Sequence, residues 1–123
     1  MACAYNSGEG FRALFSNTTG VLNTATGVQA LNSNTIGAQN TATGVNALFS
    51  NTTARFNTVN STSALFHNNT GAQNTAIGDL ALGNNDSTGN ALGNSNTAVG
   101  AQALFSNTDG NSNNAVGFNA RPH

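Results

Sequence analysis

The chain has 123 residues, a net charge of −1 and only 6% charged residues, against about 25% in an ordinary soluble domain. That charge balance excludes a basic surface for nucleic acid or anionic lipid, and the length allows one small domain. Asn supplies 23 residues and Thr 16, with no Lys and no Trp, so one compact apolar core would be poor, while the near-neutral charge gives no drive toward an expanded chain.

The opening stretch, residues 1–5, reads as a lead-in. MACAYNSGEGF has no basic region followed by an apolar core, so it is not a signal peptide. The expectation is a chain not exported by that route, a mature piece, or a fragment. Cys3 is the sole cysteine and offers neither an internal disulfide nor metal-ligand spacing. No apolar run reaches the roughly 18 residues of a membrane span.

From Asn6 onward the sequence repeats. Units begin at 6, 23, 40, 57, 74, 96 and 113, with a spacing of 17 everywhere except the fifth unit, which carries five extra residues. The fifth position reads Gly10, Gly27, Gly44, Ser61, Gly78, Gly100, Gly117. The eighth reads Ala13, Ala30, Ala47, Ala64, Ala81, Ala103, Ala120. The ninth reads Leu14, Leu31, Leu48, Leu65, Leu82, Leu104, then Arg121. The consensus is N-T-A-x-G-x-x-A-L-F-S-N-T-T-G-x-x. A unit this short cannot hold two helices and their turns, which need 30 residues or more. Gly and Asn-Thr-Thr-Gly punctuate it into runs of strand length, and Thr and Val favour strands.

The fold class is therefore all-β: a parallel β-solenoid of about seven 17-residue coils over 6–120, with 121–123 as a tail. Each coil is expected to hold two strands, NTAxG and ALFS. Asn amides form ladders between coils, as in cross-β stacks, and Gly supplies positive φ at corners. Because side chains alternate along a strand, the second and fourth positions and Leu are placed inside. The expected core is Leu14, Leu31, Leu48, Leu65, Leu82 and Leu104 with Ile77, Val99 and Val116.

The Ala column and a stripe of Phe15, Phe49, Phe66 and Phe105 then lie outside. An exposed apolar ladder marks an interface, so this stripe, with Ala13, Ala30, Ala47, Ala64, Ala81 and Ala103 beside it, is expected to be the seam of a homo-oligomer, a three-fold bundle of parallel solenoids. The alternative is a single wide core that takes in the Phe column. The incomplete last unit shows no helical or charged cap beyond Arg121-Pro122-His123, and bare solenoid ends stack or aggregate. The expected partner is the chain itself, as a trimer or head to tail.

In the fifth unit GNNDSTGNALGNS, Gly83 to Ser95, is expected to bulge as a loop over about 84–95. Loops on solenoids are frequent binding sites, which makes Asn84, Asn85, Asp86 and Ser87 the candidate binding loop. The plain alternative is a neutral insertion, and calcium-loop spacing is missing.

NTATG at 23 and 40, NTAIG at 74, NTAVG at 96 and NNAVG at 113 resemble the core of trimeric autotransporter adhesin head repeats. ALFSNTTG at 13–20 resembles repeats of phage-type and bacterial tail fibres. The resemblance covers Asn6 to Ala120, with a longer unit than is common in adhesin heads. It implies a parallel β-roll, three chains together, in a surface or virion fibre, extracellular, with a cell-surface receptor or glycan as a possible ligand.

No enzyme constellation can be drawn. Glu9, Asp79, Asp86 and Asp109 share no coil column, so a glycosidase pair is not formed. His67 sits in a Ser column and His123 is terminal; neither completes a triad. No metal, cofactor, nucleic acid or membrane insertion is expected. The leading function is a structural fibre segment giving rigid extension and attachment. A second reading is an ice-binding solenoid using the Thr24/Thr26 and Thr41/Thr43 pairs, a pattern that breaks at Asn60, Ile77 and Val99. A third is a self-assembling extracellular filament subunit.

Overall fold

The computed structural model describes residues 5–121. Met1 to Ala4 of the lead-in, with Cys3, and Pro122 and His123 of the tail lie outside the described residues. Seven strands of three residues each follow in chain order: β1 (Ser7–Glu9), β2 (Thr24–Thr26), β3 (Thr41–Thr43), β4 (Thr58–Asn60), β5 (Thr75–Ile77), β6 (Thr97–Val99) and β7 (Asn114–Val116). They form one parallel sheet in sequence order, a β-solenoid of about six turns. Pairing is strictly in register: Thr24 faces Thr41 and Thr58 faces Thr75. The five extra residues of the fifth unit are absorbed without loss of register, since Thr75 faces Thr97.

Each turn has one strand, not two. ALFS is a succession of turns, because the residues at the seventh and ninth positions are left-handed: Gln29 has φ 59° and Leu31 φ 51°, and Asn46 and Leu48 follow suit at 57° and 53°. The backbone alternates its partners accordingly. Gln29 N–H donates to Phe11 of the previous turn, Ala30 N–H to Gly27 within its own, and Leu31 N–H to Ala47 of the next. In this way three successive amides each find a carbonyl.

That alternation also corrects which side chains face in. The Ala column was expected on the outside, yet Ala30, Ala47, Ala64, Ala81 and Ala103 are fully buried beside Leu31, Leu48, Leu65, Leu82 and Leu104. Two adjacent residues cannot both point inward in a strand; they can here because Leu is left-handed. A left-handed L-residue costs about 1–2 kcal/mol, and full burial of Leu returns about 1.5–3 kcal/mol. The two terms are comparable, so the conformation is tenable where the side chain is buried.

Ile77, Val99 and Val116 were expected in the core and face outward instead. Ile77 is 40% and Val116 72% exposed. The strands turn their middle residue inward: Ala25, Ala42, Val59, Ala76 and Ala98 are at most 1% exposed. A 17-residue turn is narrow, and Ala, Ala and Leu, with two Asn, fill its section.

The two Asn columns complete the interior. Asn23, Asn40, Asn57, Asn74 and Asn96 form one; Asn34, Asn51, Asn68 and Asn85 form the other, and all are buried. In the first, the Asn40 N–H donates to Asn23 Oδ1 at 3.0 Å and its Nδ2 to the Ala54 carbonyl at 2.8 Å. In the second, Asn51 Nδ2 donates to Asn34 Oδ1 at 2.8 Å and also reaches the Ala54 carbonyl, at 3.3 Å. Both columns thus grip the same carbonyl from either side. This repeats at Gly37, which accepts from Asn23 and Asn34.

Candidate functional site: two outward columns and a splice

Three surfaces carry the side chains that the stack does not consume. The first is the outer face of the sheet. Its second position is Thr24, Thr41, Thr58, Thr75 and Thr97, and its fourth is Thr26, Thr43, Asn60, Ile77 and Val99. The strands hold these at the spacing of the ladder, about 4.8 Å from turn to turn. Val28 and Val45 continue the same turns past the glycine corner and are 42% and 44% exposed. The corner glycine permits no other residue cheaply: at Gly27 (φ 131°) a Cβ would come within 2.5 Å of the Gly44 backbone. Ser61 occupies this column in the fourth turn with φ 136°.

The second surface is the aromatic column. Phe49 and Phe66 stack face to face, centroids 5.0 Å apart and rings 4° from parallel. Phe15 is 66% exposed and lies under the Arg12 guanidinium, 5.0 Å from its centroid. Asn32 interrupts the column in the second turn and Gly83 in the fifth. Phe105 leans into the second gap, so that a Cβ on Gly83 would be 2.7 Å from its ring. A shallow groove of about 240 Å³ remains there, among Phe66, His67, Leu80, Asn84 and Phe105. His67 is exposed and meets Phe66 edge-on at 4.6 Å. In the Phe column Phe15 is exposed and Phe49, Phe66 and Phe105 are half-buried, while the Ala column expected beside it lies in the interior.

The third surface was expected to be a binding loop, and most of it is structural. Asn85 belongs to the buried ladder: its Nδ2 donates to Asn68 Oδ1 at 2.8 Å and its Oδ1 accepts from Asn107 Nδ2 at 2.7 Å. Asp86 is fully buried. On the first two turns three successive N–H groups converge on one carbonyl of the next turn, as Thr35, Ile36 and Gly37 do on Thr52. At Thr70, beside the insertion, the Asp86 carboxylate stands where that carbonyl would be, and the Asp86 carbonyl accepts from Gly89 N–H instead. Its Oδ2 accepts from Thr70 N–H at 2.8 Å and Thr70 Oγ1 at 2.7 Å, and its Oδ1 from Leu92 N–H at 3.3 Å. The extra residues therefore lie between Asp86 and Gly93, narrower than the 84–95 expected. Of the four loop residues, Asn84 is half-buried and only Ser87 is exposed. Thr88 Oγ1 ties the loop to Asp109 Oδ1 at 2.7 Å.

Column arithmetic could have found Asn85. Asn17, Asn34, Asn51 and Asn68 all stand eleven residues after a unit's first Asn, and so does Asn85.

Among the described residues, no three His, Cys, Asp or Glu side chains come together, and no helix is long and apolar enough to cross a membrane. A concavity of about 490 Å³ opens at the sixth turn, lined by ladder and core residues such as Leu104 and Asn107 with Gln102, Asn119 and Arg121. Comparison of the chain with protein-family models, with curated proteins and with solved structures returned no match.

Proposed function

We propose that the chain is a structural fibre segment of a surface adhesin or phage-type tail fibre, a stiff spacer that carries attachment faces outward. One observation carries this reading: the in-register sheet and both Asn ladders run through successive turns. A stack of this kind has only nearest-neighbour contacts, so it is stiff along its axis and extendable by repetition. Seven rungs span about 34 Å at the parallel-strand spacing. The resemblance of NTAVG and ALFSNTTG to fibre repeats points the same way. In this reading the partner is the chain itself, three-fold through the Phe49–Phe66 column or end to end, at a cell or virion surface, and a receptor or glycan would meet an outward column.

Sedimentation equilibrium and electron microscopy of the purified chain test it. Trimers or rods that dissociate when Phe49 and Phe66 are both changed to Ser are expected. A compact monomer at every concentration, unaltered by the double change, would sink both seam and fibre.

A further inference from the structure

We infer that the outer face of the sheet, on the second to fourth turns, is a docking surface for ice. This goes beyond the fibre reading and does not depend on it.

The first observation is the direction of the threonines. Thr24, Thr26, Thr41, Thr43 and Thr58 are exposed rather than buried, so the T-x-T pairs are presented to solvent.

The second observation is what their hydroxyls lack. Thr18, Thr35 and Thr52, on another side of the coil, each spend Oγ1 on a carbonyl one turn along, at 3.0–3.1 Å. No such bond is made by the face threonines to any described residue. Their hydroxyls are left for an external partner, and their methyls stand beside them.

The third observation is the grid. In-register pairing places Thr24 on Thr41 on Thr58, and Thr26 on Thr43. The repeat is about 4.8 Å across the strands and about 6.6 Å along them. The array is therefore periodic in two directions and carries no charge at its own five positions. Exposed charges stand outside those positions, at Glu9 on the first turn, at Arg55 three residues before Thr58, and at Asp79 beside the fifth. Thr and Val are stiff at χ1, so the surface is set before it binds and little rotamer freedom is lost on contact.

A preset, uncharged, two-dimensional grid of hydroxyls and methyls fits a partner that is itself a neutral lattice able to accept and donate hydrogen bonds. Crystalline polysaccharide shares that description. It is disfavoured because sugar rings are recognised by stacking on aromatic faces, and the ring beside these strands is a single one, Phe56, 50% exposed and two residues before Thr58, with Gln39 and Gln73 in its place on the neighbouring turns; Phe49 and Phe66 belong to another column. The same residues serve strand propensity, which favours Thr and Val at such positions. Propensity alone does not leave every hydroxyl unpaired and in register, and the experiment separates the two.

Thermal hysteresis and ice-crystal shape would be measured for the whole chain, for Thr43→Tyr at the centre of the face, and for Thr53→Tyr at an exposed position off it. The chain is expected to depress freezing below melting and to facet ice. Thr43→Tyr should lose most of that activity with an unchanged melting curve by circular dichroism, and Thr53→Tyr should keep it. If Thr43→Tyr perturbs the fold, Thr41→Lys gives the same comparison. Freezing behaviour equal to that of an inert protein of the same size would overturn the inference. So would equal activity of the two Tyr variants, or retention on crystalline cellulose or chitin without hysteresis.

Discussion

Asn51 and Asn34 are both completely buried, and Asn51 Nδ2 donates to Asn34 Oδ1 at 2.8 Å across one turn of the stack. Asn51 Oδ1 in turn accepts from Asn68. An amide is suited to this because it both donates and accepts. Asn51→Ala leaves buried partners above and below unpaired, each costing about 1–3 kcal/mol. Chemical denaturation should show a loss of that order, and none for Asn111→Ala, which is exposed.

Ser61 holds the conformation that glycine holds in the other turns, with φ 136°. Backbone strain of this sort costs of order 1–3 kcal/mol. Ser61→Gly should therefore raise the melting temperature, although glycine ordinarily loosens the unfolded chain. Gly44→Ala should lower it, because the added Cβ would sit 2.6 Å from the Ser61 backbone.

Asp86 substitutes for a backbone carbonyl at the insertion. Removing its side chain in Asp86→Ala leaves the Thr70 N–H without its acceptor, at a cost of about 1–3 kcal/mol. Asp86→Asn keeps one carbonyl oxygen and should cost less. Hydrogen exchange at Thr70 reads this directly: the amide should be protected in the native chain, less so in Asp86→Asn, and exposed in Asp86→Ala.

The inward and outward assignments can be separated by one pair of variants. Leu65→Ala opens a fully buried site and should cost about 2–5 kcal/mol. Ile77→Thr changes a residue that is 40% exposed, and surface changes stay within about 0.5 kcal/mol. Equal losses in urea denaturation would return Ile77 to the core.

Much of the architecture is legible in the sequence, because stacked turns place like on like. The 17-residue period, the parallel class and the ladder role of Asn follow from columns alone. The facing of the columns does not. It was read from side-chain size and strand alternation, and both mislead in a turn this narrow. Ala76 is inside and Ile77 outside, and Val59 takes the same inward place in its own turn, so side-chain size does not tell which position faces in. Alternation fails at Ala30 and Leu31 because Leu31 is left-handed, a conformation that Leu gives no hint of adopting. The outward T-x-T face was concealed by the same error, since its threonines were placed within. The loop at Asn85 and Asp86 was read as insertion by contiguity, when one residue continues a ladder and the other repairs a lost acceptor.

Each turn holds one strand, and Ala, Leu and two hydrogen-bonded Asn ladders share its interior. Side-chain amide exchange, followed by NMR in deuterated water, reads those ladders residue by residue. The Nδ2 protons of Asn34, Asn40, Asn51 and Asn57 should exchange far more slowly than those of the exposed Asn111 and Asn119. They should also show contacts to the Asn of the adjoining turn. Exchange of all these amides at the rate of a free side chain would mean that the Asn columns are not buried, hydrogen-bonded ladders.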